Sequence, residues 1–518
     1  VVPASRRWAE GVTGVRVVGD GKRSLLDLLR EAGAVSPAAT LCGGSGSCGR
    51  CRVYVSGVGD QRPDSERVTQ LACALFPVGP VDVELGPELS AGTAFSALDA
   101  FKPLPAFATG SLSGFGVACD LGTTTLAFAL VDRLTGRVLA VSSRLNSQRA
   151  YGADVVSRLS AAEAGSLDEL ARLARADIAS GVADLLSRAG ASPRDVSAVA
   201  VAANTAMVHL LLSLPVAGLA RAPFAPETLD LEVRPSADLL PASGLDCPVS
   251  ALPGVSAYLG GDLVGGMAAY GFPSGKGSEL YLDLGTNGEM ALASGGDLVA
   301  ASVAMGPAFE GGRVSAGTGG VPGAVSSVRV VGSRFAYERI PSELSLANSP
   351  GVTDVPGLTG SALVDLLAAS LSLGLVAPDG SLAPACADSG IMLNPSLPIR
   401  LTAADVRELQ LAKAAVRAGI ETLAIELGVD VSDISRIYIA GGFGSWMDVS
   451  AARAIGLLPS SPRAEVVRLG NAALAGAVRF LADPAMDGLL TRARSARPVE
   501  LADRGEFARL FIDSMSFR

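Results

Sequence analysis

Four cysteines fall within 32 residues, as Cys42-Gly-Gly-Ser-Gly-Ser-Cys48-Gly-Arg-Cys51 followed by Cys73 after 21 intervening positions. Thiolate sulfur is the soft ligand that holds iron–sulfur clusters and structural zinc. Glycine and serine between the thiols let the backbone close around a cluster and aim amide N–H groups at sulfur, which stabilises negative charge. Structural zinc usually pairs four thiolates as two short Cys-x-x-Cys knuckles, and the second pair is missing. The repeated Cys-x-x-Cys run of four-iron sites is also absent. The plant-type two-iron pattern has four residues between its first two thiols where this chain has five. A two-iron cluster on Cys42, Cys48, Cys51 and Cys73 fits best, with zinc and unliganded thiols as the alternatives. Cys119 reads as a core side chain, and Cys247 and Cys386 carry no chemistry.

A second chemistry comes from two similar segments. Asp120-Leu-Gly-Thr-Thr-Thr125 follows the strand-like Val117 to Cys119 and precedes Leu126 to Val131. Asp283-Leu-Gly-Thr-Asn-Gly-Glu289 follows Leu280 to Leu282 and precedes Met290 to Leu292. Each reads as strand, polar turn, strand. Glycines at Gly122 and Gly285 let the turn approach phosphate without a Cβ clash. Backbone N–H groups and the hydroxyls of Thr123, Thr124, Thr125 and Thr286, with the amide of Asn287, can donate to phosphate oxygens. Asp120 and Asp283, facing each other across a cleft, suit hydrated magnesium, which favours carboxylate plus phosphate oxygens. A third segment, Ile437-Tyr-Ile-Ala-Gly-Gly-Phe-Gly444, runs a strand into a turn able to pass under a nucleoside. There is no Gly-x4-Gly-Lys-Ser/Thr loop and no strand-linked Gly-x-Gly-x-x-Gly fingerprint, so nucleotide use needs this other architecture. Gly306 to Gly312 and Gly317 to Gly320 are further permissive turns. Asn146, Gln148 and Asp154 either orient water or magnesium or serve as caps and turn formers. Asn204 and His209 lie at a cleft edge, with a hydrogen-bonded structural histidine as the bland reading.

The elements that must position these residues follow from pattern. Ser24 caps a short helix, Leu25 to Glu31, with Asp27 three residues on and Gly33 as its stop. Arg52 to Ser56 and Val81 to Leu85 read as strands. The uncharged stretch from Val196 to Ala220 divides at Asn204, His209 and Pro215 into strand, turn and helix, so it is not a membrane span. Leu363 to Ala377 and Asp405 to Leu423 read as helices. The expected fold class is α/β, with a small N-terminal ferredoxin fold and a nucleotide-binding body of two related lobes. The expected boundaries are 1–88 for the redox domain, 89–112 for a linker, 113–275 for the first lobe and 276–518 for the second. A linker there would tether a mobile redox head.

Composition bounds the function classes. The chain has 518 residues, 49% hydrophobic and only 18% charged, enough for several packed cores. A formal net charge of −9 and the lack of any basic run argue against nucleic acid. Val1 to Glu10 has no apolar core of the secretory kind, so a cytoplasmic location is expected, with no membrane contact. Seven cysteines, an odd number, do not form a secreted disulfide scaffold. Arg50 and Arg52 either face an acidic partner or form a solvated rim.

Together the motifs resemble a known family. The N-terminal region is similar to two-iron ferredoxins. The rest is similar to the acetate kinase, sugar kinase, Hsp70 and actin superfamily. The combination resembles the reductive activators of corrinoid proteins. The resemblance is carried by the cysteine pattern, the two aspartate turns, Tyr151-Gly-Ala-Asp154-Val-Val-Ser-Arg158, Ala203-Asn-Thr-Ala-Met-Val-His209, Gly306-Pro-Ala-Phe-Glu-Gly311 and Ala440-Gly-Gly-Phe-Gly444. It implies an N-terminal ferredoxin-like β-grasp domain plus a two-lobed RNase H-like, actin-like nucleotide-binding body, and ATP-dependent return of cobalt(II) to cobalt(I) on a corrinoid protein of a methyltransferase system. Its implied cofactors are a [2Fe-2S] cluster, ATP and Mg2+. It implies catalytic roles for Asp120, Asp283 and Glu289, and adenosine-side contacts at Gly441 and Gly442. An upstream electron donor and a homodimer are the further expected partners. Rival functions are an ATP-dependent electron donor to another metalloenzyme, a small-molecule kinase and a nucleotide-regulated redox sensor.

Overall fold

A computed structural model of the chain describes residues 7–8, 12–32, 34–35, 51–56, 68–85, 104–110 and, from 112 to 517, all but 153, 286, 322, 341–356, 396 and 398. The N-terminal unit is a five-stranded sheet built from β1 (Arg7–Trp8), β2 (Val12–Asp20), β3 (Arg52–Ser56), β4 (Val68–Leu71) and β5 (Val78–Leu85), in the order β1-β2-β5-β3-β4. Helix α1 (Leu25–Glu31) packs against it. Ser24 starts that helix by accepting from the Asp27 amide, which satisfies one orphan donor of the first turn. Leu25, Leu26, Leu28 and Leu29 then form one apolar face, buried against Val17, Val53, Val55, Val81 and Val83. Each such leucine stabilises the unit by about 1.5–3 kcal/mol.

The body has two lobes with one strand grammar. The first contains β6 (Phe115–Leu121), β7 (Thr125–Asp132), β8 (Arg137–Leu145), β9 (Val196–Ala202), β10 (Glu232–Pro235) and β11 (Pro248–Ala251), in the order β10-β11-β9-β6-β7-β8. Its main helices are α2 (Val155–Ala161), α3 (Leu167–Ala189), α4 (Thr205–Leu212) and α5 (Gly261–Ala269). The second contains β12 (Ser278–Leu284), β13 (Gly288–Ser294) and β14 (Asp297–Val303). It continues through a hairpin of β15 (Val325–Val331) and β16 (Arg334–Arg339) and a short pair, β17 (Ile391–Met392) and β18 (Arg400–Leu401). It ends with β19 (Ile434–Ala440), β20 (Glu465–Gly470) and β21 (Arg497–Pro498), giving a main sheet ordered β20-β19-β12-β13-β14-β21. Its main helices are α6 (Gly360–Ser372), α7 (Ala403–Leu427), α8 (Gly442–Trp446) and α9 (Ala472–Ala482). In each lobe the central strand is antiparallel to the next strand and parallel to a later one: β6 with β7 and β9, β12 with β13 and β19.

Strand alternation divides the core into layers. Val117, Cys119 and Leu121 of β6 face an outer core of the first lobe. Leu280, Leu282 and Leu284 of β12 face an outer core of the second. Between the lobes lies a shared layer rich in small side chains, with Ala118, Ala127, Ala129, Ala200, Ala291 and Ala300. That smallness admits α5 and α9, which cross with Gly265 of one against Gly476 of the other. Each helix reaches the opposite sheet. Leu481 of α9 covers Gly116 on β6, and Gly266 of α5 passes under the Tyr281 ring hydroxyl on β12. These crossings fix how the two sheet ends face each other.

Residues 104–110, inside the stretch read as a linker, lie against the body. Leu104 and Phe107 join the shared layer, the Arg479 guanidinium stands 5.4 Å over the Phe107 ring, and the Gly110 amide donates to Ala482. The uncharged stretch from Val196 forms β9 and α4 as expected, and Cys119 is a fully buried core side chain. Among the described residues, no helix is long and apolar enough to cross a membrane.

Candidate functional site

Two cysteines of the N-terminal cluster lie within the described residues. Cys51 precedes β3 and Cys73 follows β4, so the β3–β4 pairing brings them together at one end of the sheet. Their sulfurs are 3.1 Å apart and both residues are buried. That separation is well beyond the roughly 2.05 Å of a disulfide, so the two sulfurs are not bonded to each other. The Cys73 amide points at the Cys51 sulfur from 3.5 Å, the arrangement that stabilises a thiolate. Two adjoining buried sulfurs with an amide donor fit ligation of an iron–sulfur cluster. Cys42 and Cys48 lie outside the described residues.

In the body, Asp120 and Asp283 occupy equivalent places. Each is the penultimate residue of its central strand, and each pairs with the last residue of the parallel neighbour: Asp120 with Ala202, Asp283 with Ala440. The chain after Asp120 turns tightly through Gly122, where a Cβ would lie 2.5 Å from the Thr125 carbonyl oxygen. Three consecutive carbonyls of this turn are bound from the protein side. Asn146 Nδ2 donates to Gly122 O at 2.8 Å, Arg158 Nη2 donates to Thr123 O, and the Asn146 amide donates to Thr124 O at 3.0 Å. Asn204 Nδ2 reaches Thr123 Oγ1 at 3.2 Å. The amides of Thr123 and Thr124 find no acceptor among the described residues.

The second turn is built differently. The Gly285 amide donates to Asn287 O at 3.1 Å, so this turn closes on itself. Asn287 is exposed, and Thr286 lies outside the described residues. Glu289 pairs directly with Asp283 across β12 and β13. Gly441 sits against this pair at φ 90° and ψ 157°. A Cβ there would stand 2.5 Å from Leu284 O and 2.9 Å from Asp283 Oδ1. Gly442 begins α8. Phe309, from the Gly306–Gly311 segment, stacks on Phe443 with centroids 4.8 Å apart and planes 7° apart, which joins those two glycine motifs.

A fourth carboxylate, Asp262 in the first turn of α5, belongs to the same cleft. Its amide donates to Ala203 O, and Gly260 packs on the Ala203–Asn204 backbone. Burial lifts Asp262 to about 6. Asp120 is pushed up to about 7 by burial and by Asp262, against the lowering effect of the Asn471 amide, which donates to its Oδ2 at 2.7 Å. Asp283 is also pushed up to about 7 by burial, Asp262 and Asp120. Burial and the same three neighbours hold Glu289 well above the ordinary carboxylate range. The four acids thus form one buried cluster, and repulsion among them adds to the rise of Asp120, Asp283 and Glu289. Among the described residues no three His, Cys, Asp or Glu side chains converge closely enough to hold a metal ion alone.

The geometry is matched by known proteins along nearly the whole chain. The C-terminal domain of RACo, the ASKHA domain, matches residues 278–518; the RACo middle region matches 115–274; a 2Fe-2S iron-sulfur cluster binding domain matches 10–78. The corrinoid activation enzyme RamQ of Eubacterium limosum is 30% identical over 436 residues, 78% of this chain and 70% of that protein. The chain belongs to the family of reductive activators of corrinoid proteins. A [Co(II) methylated amine-specific corrinoid protein] reductase of Methanosarcina barkeri, at 27% identity over 383 residues, covers 70% of this chain and 68% of its own length. A solved reductive activator for a corrinoid, iron-sulfur protein shares the fold, with a TM-score of 0.67 at 23% identity and 96% of both chains covered.

Within this family member the structure separates helpers from bystanders. His209 is fully buried, its Nδ1 on Thr205 O at 2.8 Å and its Nε2 accepting the Glu227 amide at 3.0 Å. An accepting Nε2 requires the neutral ring, and burial lowers its pKa. It is a structural histidine. Asp154 caps α2. Gln148 binds Leu170 O and borders Arg158. Asn146 does more than cap, because it also holds the first turn. Sequence reasoning gave no role to Asp262, Asn471 or Arg158. Asp262 follows Gly260 and Gly261 at a helix start, which is a weak signal. Asn471 stands 351 residues from Asp120, and no local spacing connects them.

Proposed function

We propose that this chain uses ATP to return a corrinoid protein from cobalt(II) to cobalt(I), passing one electron from its N-terminal domain. The observation that carries the reading is the presence, on one chain, of the buried Cys51–Cys73 sulfur pair and a two-lobed body with Asp120 and Asp283 at equivalent strand ends. Cys42, Cys48, Cys51 and Cys73 would hold a [2Fe-2S] cluster, which would supply single-electron chemistry. Cobalt(II) gains that electron, an upstream donor replaces it, and ATP with water gives ADP and phosphate. Plant-type clusters sit near −400 mV, and each tenfold step of a one-electron equilibrium is about 59 mV. Cobalt(I) is a stronger reductant than such a centre, so the transfer runs uphill. The protein would gain ground by holding its corrinoid partner in a state that is easier to reduce, and nucleotide turnover would drive release.

The first turn takes the phosphate chain through the amides and hydroxyls of Thr123, Thr124 and Thr125. Gly285 and Asn287 would approach it from the other lobe, with Gly441 and Gly442 toward the nucleoside. Hydrated Mg2+, which keeps several waters, suits a cleft whose acids surround rather than converge. Asp120 and Asp283 would orient its waters. Glu289 would hold its proton beside Asp283. Lobe motion about the α5–α9 crossing would carry nucleotide state to the partner face. The cytoplasm is the compartment this reading implies.

The test mixes reduced protein, ATP, magnesium and a cobalt(II) corrinoid protein without oxygen. Growth of the cobalt(I) absorption band that needs ATP is the expected result. No such band with a matched partner would sink the reading.

A further inference from the structure

The first turn owes its shape to groups outside the turn. A trans peptide points its C=O and its N–H in opposite directions. Asn146 Nδ2 holds the Gly122 carbonyl at 2.8 Å, so the N–H of Thr123 points away from Asn146. Arg158 Nη2 holds the Thr123 carbonyl, so the N–H of Thr124 points away from Arg158. Those are the two amides without an acceptor among the described residues. Successive N–H groups on one side of a turn form a concavity that binds anions.

Both holders are themselves fixed. Asn146 is fully buried, and its Oδ1 accepts the Gln148 amide at 2.9 Å, which leaves its NH2 group for Gly122. Arg158 is fully buried on α2. Its Nε donates to Gly152 O at 3.1 Å, and Nη1 lies 3.4 Å from Gln148 Oε1. None of these partners is a carboxylate. A buried cation whose hydrogen bonds all go to neutral acceptors is costly, and the charge of Asp154 nearby offsets part of that cost. The neighbouring Arg149, also buried, adds positive charge. A polyphosphate at the turn would offset that cost.

We propose that Arg158 and Asn146 are positioning residues that aim the Thr123 and Thr124 amides at the phosphate chain of the nucleotide, with Arg158 adding fixed positive charge behind the turn. This deepens the nucleotide reading and rests on it. It gives Arg158, whose hydrogen bonds all go to uncharged acceptors, a role in the nucleotide site.

The test measures binding of ATP, ADP and adenosine to the full chain carrying Arg158→Lys or Asn146→Asp. Lysine keeps the charge but cannot span the Thr123 and Gly152 carbonyls. Aspartate keeps the Gln148 cap but turns an oxygen toward Gly122 O. Charge-assisted bonds of this kind imply ATP and ADP binding weakened by about ten- to a hundredfold, with adenosine binding and the cluster spectrum unchanged. A fold defect would weaken all three ligands alike, and that outcome overturns the assignment. So does ATP binding equal to the unaltered protein in both variants. If the unaltered protein binds no ATP, the nucleotide reading itself falls.

Discussion

Gly441 offers the sharpest test of the site geometry. Its φ of 90° with ψ of 157° lies in a region that essentially only glycine occupies. Alanine there costs about 1–3 kcal/mol in backbone strain alone. The added Cβ would also fall 2.5 Å from Leu284 O and 2.9 Å from Asp283 Oδ1, so the β12 end or the carboxylate must move. For a domain of this size each kcal/mol lowers the melting temperature by about 2–4 °C, which gives a fall of roughly 2–12 °C. A shift approaching 1 Å in a group that positions the reaction costs about a hundredfold in turnover. Gly285 is the matched control. A Cβ there meets nothing nearer than Asn287 O at 3.7 Å. Gly285→Ala should change stability by less than about 1 kcal/mol, with any functional loss confined to nucleotide affinity. Thermal unfolding and ATPase kinetics on both variants decide the matter. Gly441→Ala with an unaltered melting temperature and unaltered kcat would refute the placement of Asp283.

Other expectations follow from the same geometry. Asp120 and Asp283 rise from 3.8 to about 7, and Asp262 to about 6, so the fold binds more protons than the unfolded chain between those values. The part of the stability of the nucleotide- and magnesium-free protein that these three carboxyls contribute is present in full below their ordinary 3.8 and is lost as pH rises through about 6 to 7; urea midpoints at pH 5 and 7.5 should fall in that order, Asp283→Asn should flatten the slope, and a rising midpoint would contradict it. Cys51→Ser and Cys73→Ser should each abolish the visible spectrum of the cluster while leaving ATP binding within about twofold, since the body has its own cores; a retained spectrum in both would remove these sulfurs from the ligand set.

Much of this molecule is legible along the chain because its chemistry is written in short runs. The thiols and glycines that a cluster-binding loop calls for can be read off the run from Cys42 to Cys51, of which Cys51 is described and stands beside Cys73. Each aspartate turn lies within one hairpin, so the strand, turn, strand order of Asp120 to Thr125 and Asp283 to Glu289 is readable without any distant residue. Helix α1 follows from its cap and its leucines, and the split of the stretch after Val196 follows from where its polar residues fall. The linker was less legible, because what binds residues 104–110 to the body is Arg479 and Ala482, far along the chain.

What only the tertiary structure decided is the company each turn keeps. Asn471 meets Asp120 because α9 leaves the second sheet and packs on the first. Asp262 joins the acids because α5 starts against Ala203 and Asn204. Arg158 and Asn146 face the first turn from an adjoining segment, and their effect depends on which carbonyl each one grips. Sequence spacing carries direction along one helix or strand, but it carries none between elements that meet only through packing. The sequence thus determined which groups could bind iron, sulfide and phosphate, and the crossing of α5 and α9 decided which of them share a cleft.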